Sequence, residues 1–301
     1  MTGLEARRLM RAGVHVISPR YWRWRRFLRQ LTLDPDRLLQ PVEEPTERDF
    51  IICGCPRSGT SLLSAMLHQP PRSVVVMEPW DGMRVPPSDL FGSLREEIDR
   101  TGYLTRGKLD FQALSSDGDV RWRREGALPE AVRTMGGYML GVKWPAFWRY
   151  LEFLPNTKFL VSLRHPAEVI GSFKRVGGRL SRGLEYDIAF NRPVNEELRR
   201  TRDVALRRVR FFDYVHERIL PYLARPNVLA VRYERWFSEP DQLLDEISQF
   251  LEVDLRDARA LIREPEHRVA LNANDLRIIQ ERCRTAAALG YATAAPLLGT
   301  S

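Results

Sequence analysis

From Asp49 onward, short apolar runs alternate with longer stretches whose apolar residues recur at helical spacing. The short runs predict strands at Phe50 to Cys53, Val74 to Met77, Tyr138 to Val142, Phe159 to Leu163 and Val228 to Val231. The longer stretches predict helices at about Thr60 to Gln69, Ala146 to Leu154, Ala167 to Val176, Glu196 to Leu223 and Pro240 to Leu251, with two more near Leu255 to Arg263 and Asn274 to Leu289. Strand and helix in alternation specify an α/β fold built on a parallel sheet flanked by helices. Arg84 to Gly137, rich in Gly, Asp, Ser and Arg, has no sustained period.

Residues 1–47 differ in kind. They carry the run Tyr21-Trp22-Arg23-Trp24-Arg25-Arg26-Phe27-Leu28 and then a stretch marked by Pro35, Pro41 and Pro45, which reads as a basic N-terminal arm and linker ahead of a domain at 48–291 and a tail at 292–301. A basic helix packed on the domain is one reading of the arm. A membrane-surface contact is the other, because aromatic and arginine side chains favour lipid interfaces. Glu5, Arg7, Arg8 and Arg11 interrupt the first twenty residues, so they lack the apolar core of a secretory signal. No stretch approaches the roughly 18 uninterrupted apolar residues of a membrane-spanning helix. The expectation is a soluble cytoplasmic protein, peripheral to a membrane if the arm meets lipid.

Composition narrows the partners. The chain has 301 residues, 44% of them hydrophobic, with a net charge of +8, and that sign favours a polyanionic ligand. Nearly all the positive charge is arginine, the lysines being Lys108, Lys143, Lys158 and Lys174. No helix-turn-helix, zinc-finger or RNA-recognition signature is present, so nucleic acid is not the expected partner. Cys53 and Cys55 lie too close in sequence to bridge each other comfortably and read as buried thiols rather than metal ligands.

The first strand leads into Gly54-Cys55-Pro56-Arg57-Ser58-Gly59-Thr60-Ser61 and then the apolar run Leu62 to Leu67. A strand, a glycine-bearing loop and a helix start form an anion site, because free backbone N–H groups and the helix dipole converge on bound phosphate. The spacing fits the nucleotide-triphosphate loop, except that Thr60 stands where that loop has its lysine. The cation here is Arg57, inside the loop. Pro56-Arg57-Ser58-Gly59-Thr60 resembles the 5'-phosphosulfate loop of the sulfotransferases that use 3'-phosphoadenosine-5'-phosphosulfate (PAPS), in the arginine form of the tyrosylprotein and many bacterial enzymes.

A second motif agrees independently. Lys158 to Leu163 reads as a buried strand ending in Arg164, with Pro166 in the first turn of the following helix and Ser172 eight residues beyond the arginine. The family's 3'-phosphate motif has this layout, and a guanidinium fork with a serine hydroxyl suits a phosphate. Val228 to Val231, followed by Arg232-Tyr233-Glu234, resembles the late family strand whose tyrosine lines the nucleotide site.

Sulfuryl transfer needs a group to take the acceptor proton and cations for the departing phosphate. Glu78 and Lys143 each follow a predicted strand, the position where ligands meet parallel sheets. Glu78 also lies 21 residues after Arg57, the spacing of the base in tyrosylprotein-like sulfotransferases, and Gly141 to Pro145 resembles the family's lysine segment.

The resemblance therefore implies a P-loop-like sulfotransferase fold. Arg57, Ser58, Gly59, Thr60, Ser61, Arg164, Ser172 and Tyr233 are expected to hold PAPS and its product PAP, with Glu78 as general base and Lys143 and Arg57 as catalytic cations. No metal is expected. The acceptor is a hydroxyl of open class, whether carbohydrate, lipid, phenol or peptide tyrosine, with the 84–137 stretch elaborating its site. A P-loop nucleotide kinase and a non-catalytic adenine-nucleotide-binding protein are the alternatives. Two departures stand out: Val176 occupies the place of a further family arginine, and the family's C-terminal serine- and lysine-bearing loop has no counterpart before Asn272, leaving only Arg263 or Arg268 to substitute.

Overall fold

The computed structural model describes residues 43–79, 82, 85–104, 110–112, 121–123, 126–176, 180–183, 192–262 and 271–291. Nearly all of the arm and the whole tail lie outside these residues, as do Arg84, Glu125, Arg263 and Arg268.

Chain order is β1 (Asp49–Gly54), α1 (Thr60–Leu67), β2 (Ser73–Met77), α2 (Pro87–Thr101), the short strands β3 (Tyr103–Leu104), β4 (Asp110–Gln112), β5 (Arg121–Arg123) and β6 (Gly126–Ala127), then α3 (Glu130–Met135) and β7 (Met139–Lys143). It continues with β8 (Lys158–Leu163), α4 (Pro166–Val176), α5 (Arg192–Arg200), α6 (Val204–Ile219), β9 (Val228–Arg232), α7 (Arg235–Ser238), α8 (Pro240–Leu251) and α9 (Ala273–Arg282).

The five predicted strands form one sheet in the order β2-β7-β1-β8-β9, and every neighbouring pair in it is parallel. Parallel pairing puts all five carboxyl ends on one edge, which is why the loops that follow these strands meet. Side chains alternate between two apolar layers. Ile51, Cys53, Val74, Val76, Val142 and Val161 join one, with Val169 of α4 and Val209 and Phe212 of α6. Phe50, Ile52, Val75, Leu160 and Val231 join the other, with Leu63 and Met66 of α1 and Leu243 and Ile247 of α8. Cys53 and Cys55 are fully buried free thiols, as the sequence suggests.

Three helical expectations change. The long helix expected from Glu196 to Leu223 is divided into α5 and α6, because Asp203 leaves the helical path to cap α6, accepting from the Leu206 N–H at 2.9 Å. The expected helices after Ala146 and Leu255 are instead 3₁₀ segments, Pro145–Leu151 and Arg256–Leu261. The stretch that showed no period contains the fifteen-residue helix α2. Arg95 of α2 pairs at 2.6 Å with Asp49, which is 2% exposed, and so fastens that helix to the start of β1.

The C-terminal segment is fastened by Asp213 of α6, which is 1% exposed and accepts from the Thr285 N–H at 3.0 Å, the Thr285 hydroxyl at 2.8 Å and the Arg284 N–H at 3.1 Å. With these donors and the Cys283 thiol at 3.5 Å, the buried carboxylate is stable where an unpaired one would be costly. Among the described residues no helix is long and apolar enough to cross a membrane.

His216 of α6 is fully buried with its Nδ1 on the Phe212 carbonyl at 2.8 Å, and burial pushes its imidazole down to about 4. A base whose folded value lies below its ordinary one contributes stability that is complete above about pH 6.5 and is withdrawn as the pH falls toward 4. Over that window His216 should withdraw up to about 3 kcal/mol. Denaturant melts at pH 7, 5 and 4 should show the loss, and His216→Met should reduce it to the share of His68, which burial likewise pushes down to about 4; an unchanged slope in the variant would place the titration elsewhere.

Candidate active site

The loop between β1 and α1 is folded by two glycines and one strained arginine. Gly54 has φ +146°, and a Cβ there would lie 2.5 Å from the Ser162 carbonyl oxygen of β8. Gly59 has φ +101°, and a Cβ there would lie 2.4 Å from the Tyr233 ring. Only glycine fits either position. Ser58 is fully buried, and its N–H closes a turn on the Cys55 carbonyl at 3.0 Å. Its carbonyl accepts from the Ser162 hydroxyl at 2.8 Å, while its own hydroxyl has no partner among the described residues. The first helical bond of α1 is Leu63 N–H to Gly59 at 3.0 Å, so the amides preceding it belong to the unpaired first turn that an anion can use. Thr60 begins that turn, buried, and Ser61 follows, half-buried.

On the β8 side of the loop, three further candidates converge. Arg57 Nε donates to the Ser172 hydroxyl at 2.9 Å, so the loop's cation reaches across to α4. The Arg164 guanidinium lies 4.0 Å from the centre of the Tyr233 ring and donates from Nη1 toward the Arg57 carbonyl at 3.4 Å. Its Nη2 is 3.0 Å from Glu168, and its Nε is buried with no hydrogen-bond partner among the described residues. Glu168 and Ser162 were not legible as site residues. The only available signals were the place of Glu168 in the first turn of the helix that Arg164 precedes and a lone hydroxyl among the apolar residues of the strand.

On the other side, β7 lies between β1 and β2. Lys143 is paired in register with Ile52 and with Met77. Its Nζ is 2.8 Å from Glu78 Oε1, with the lysine side chain 3% exposed and the glutamate 32%. The Glu78 N–H donates to the Lys143 carbonyl at 2.8 Å. Glu78 has φ +48° and Arg57 φ +75°. Such backbone is costly for residues with a Cβ and concentrates at functional sites. The third non-glycine residue of this kind among those described, Glu252, follows the last residue of α8, where the conformation is a common helix stop.

Two other residues that could serve as bases are placed differently. Glu125 lies outside the described residues. Part of His68 reaches solvent, yet most of its ring is covered; its Nδ1 accepts from the Val75 N–H at 3.1 Å, and burial pushes it down to about 4. Among the described residues no group of His, Cys, Asp and Glu is arranged to hold a metal.

The chain belongs to the sulfotransferase family, whose sequence model matches residues 49–257. Its general chemistry is therefore sulfuryl transfer, on a P-loop-like parallel sheet flanked by helices. No curated protein matches the chain. Solved structures similar to it include mouse sulfotransferase SULT7A1 complexed with PAP, at 15% identity over 81% of this chain and 75% of that one with a TM-score of 0.40. Sulfotransferase STF9 from Mycobacterium avium is 16% identical over 83% and 80% of the two chains, TM-score 0.41. A sulfotransferase from Alicyclobacillus acidocaldarius is 16% identical over 83% and 98%, TM-score 0.40.

The Gly59 contact yields a direct test. Gly59→Ala forces a Cβ into the Tyr233 ring at a backbone angle that alanine rarely adopts, so it should cost about 1–3 kcal/mol of stability. Displacing Tyr233 also withdraws the face on which Arg164 rests. A thermal melt unchanged from the unmodified protein would show that the loop is not packed against Tyr233.

Proposed function

We propose that the protein transfers the sulfuryl group of PAPS to a hydroxyl-bearing acceptor, with Glu78 as general base. The observation that carries this reading is the order of groups along one sheet edge. Tyr233 follows β9, Arg164 follows β8, the glycine loop follows β1, Lys143 ends β7 and Glu78 follows β2. With neighbouring strands roughly 4.8 Å apart, the sequence of groups runs from two anion-holding residues through a phosphate loop to a carboxylate–ammonium pair.

The residues present suit an adenosine bisphosphate. The first-turn amides of α1 and the Thr60 and Ser61 hydroxyls suit the 5'-phosphosulfate end. Arg164, with a buried Nε unsatisfied among the described residues, and Ser172, 6% exposed, suit the 3'-phosphate. Arg57 reaches from the first group to the second through Ser172. Tyr233 offers a ring edge and face beside both.

PAPS supplies a sulfuryl group on a phosphate leaving group. The acceptor oxygen forms a bond to sulfur as the sulfur–oxygen bond to that phosphate breaks. The acceptor proton passes to Glu78, which stays accessible to solvent while one oxygen is held by Lys143. Lys143 and Arg57 stabilise the negative charge that builds on the departing phosphate, where preorganised cations act most strongly. The acceptor class is left to assay with a panel of carbohydrates, lipids, phenols and tyrosine peptides and sulfur-labelled PAPS.

PAP should bind far more tightly than AMP without added metal, and Arg164→Ala should narrow that preference by about 1.5–3 kcal/mol, the worth of a charge-assisted hydrogen bond. Titration calorimetry reads both; equal affinity of the unmodified protein for PAP and AMP would sink the donor assignment. Once an acceptor is found, Glu78→Gln should lower kcat by about 10² to 10⁴ with PAP affinity nearly unchanged. Lys143→Ala should also act chiefly on kcat. Turnover at the unmodified rate in a folded Glu78→Gln protein would move the base elsewhere.

A further inference from the structure

The sheet ladder between β8 and β9 ends in an unusual way. Its last backbone bond is Tyr233 N–H to the Leu163 carbonyl at 2.8 Å. Two residues further on, a side chain takes over from the backbone: Glu234 Oε1 accepts from the His165 N–H at 2.7 Å. The second oxygen, Oε2, accepts from the Tyr291 hydroxyl at 3.2 Å.

Tyr291 is itself fixed. It is 8% exposed, its ring packs edge-on against His165 with centroids 5.4 Å apart, and the Arg232 guanidinium lies 4.8 Å from its centre. Arg232 also donates to the Leu289 carbonyl at 2.5 Å. Burial, and then the Glu234 carboxylate, push the Tyr291 phenol up, so it stays a donor at neutral pH. The segment is anchored again at its far end by Asp213.

Glu234 is thus bonded to the residue after Arg164 and is itself the residue after Tyr233. Those two side chains make the 4.0 Å stack beside the phosphate loop. We propose that Glu234 is a positioning residue: its carboxylate ties the ends of β8 and β9 to the C-terminal segment and so holds Arg164 and Tyr233 in register for the 3'-phosphate of the nucleotide. The inference rests on the PAPS reading above. The chain bond from His165 to Arg164 carries the constraint, because fixing an N–H fixes the peptide plane that precedes it.

The test measures PAP and AMP affinity for the full chain by calorimetry, together with a nucleotide-free thermal melt for each variant. Glu234→Ala should reduce the PAP-to-AMP preference about tenfold, the scale of one charge-assisted hydrogen bond, because the 3'-phosphate contact loosens while the rest of the nucleotide site is kept. Glu234→Gln retains an acceptor for the His165 N–H and should restore most of the preference, which a generally weakened fold would not explain. A folded Glu234→Ala protein with the unmodified preference overturns the proposal. Should that variant not fold, Tyr291→Phe decides: it removes one tether only, and it should narrow the preference by a smaller factor, with no change overturning the proposal. If the unmodified protein fails to distinguish PAP from AMP, the PAPS reading fails before this one is reached.

Discussion

The close approach of the phosphate loop to β8 is the constraint from which the rest of the site follows. A glycine at 54 lets the loop backbone come against the Ser162 carbonyl, where any Cβ would lie 2.5 Å away. The Ser162 hydroxyl then holds the Ser58 carbonyl at 2.8 Å. With the loop drawn to that side, Arg57 reaches Ser172 and Arg164 reaches the Arg57 carbonyl. A wider loop would leave these contacts unmade and the first turn of α1 facing the wrong neighbour. A small side chain in β8 and a missing one in β1 therefore decide which strand supplies the residues proposed to hold the anion.

The strand order divides the labour. β1 is central, and the residues suited to the nucleotide follow β8 and β9 on one side while the carboxylate–ammonium pair follows β7 and β2 on the other. Each half is held by bonds of its own. Lys143 and Glu78 are joined both through their side chains and through the Glu78 N–H on the Lys143 carbonyl. The other half is joined by a ring stack and by Glu234.

Much of this was legible in the sequence, for physical reasons that differ by element. Buried parallel strands are short and almost wholly apolar, so all five appeared, and Arg164, Lys143, Glu78 and Tyr233 could be placed at their ends by counting. The break between α5 and α6 was not visible, because Thr201-Arg202-Asp203 carries no glycine or proline and Asp203 acts through a cap. Helix α2 was hidden by charged residues that serve its exposed face; Leu90, Phe91, Leu94 and Ile98 bury it in the core, and Arg95 adds an ion pair with a residue 46 positions earlier. Glu168 and Glu234 could not be assigned from pattern, since an acidic residue on a helix or strand end is ordinarily a solvated one. Their partners come from distant segments or from a neighbouring turn, and only the folded chain supplies them.

Each cation of the site already has a partner within the chain. Lys143 has Glu78, Arg164 has Glu168 and a ring, and Arg57 has the Ser172 hydroxyl. An arriving polyanion therefore meets no bare array of positive charge, whatever the net +8 of the whole chain suggests. It must trade places with carboxylates and a hydroxyl that are set in position. Recognition of this kind is an exchange of short contacts, and short, partly buried contacts are weakly screened by salt. The protein's basic composition and the grip proposed for a nucleotide are in that sense separate properties: the first acts at a distance and fades with ionic strength, and the second is decided within a few ångströms.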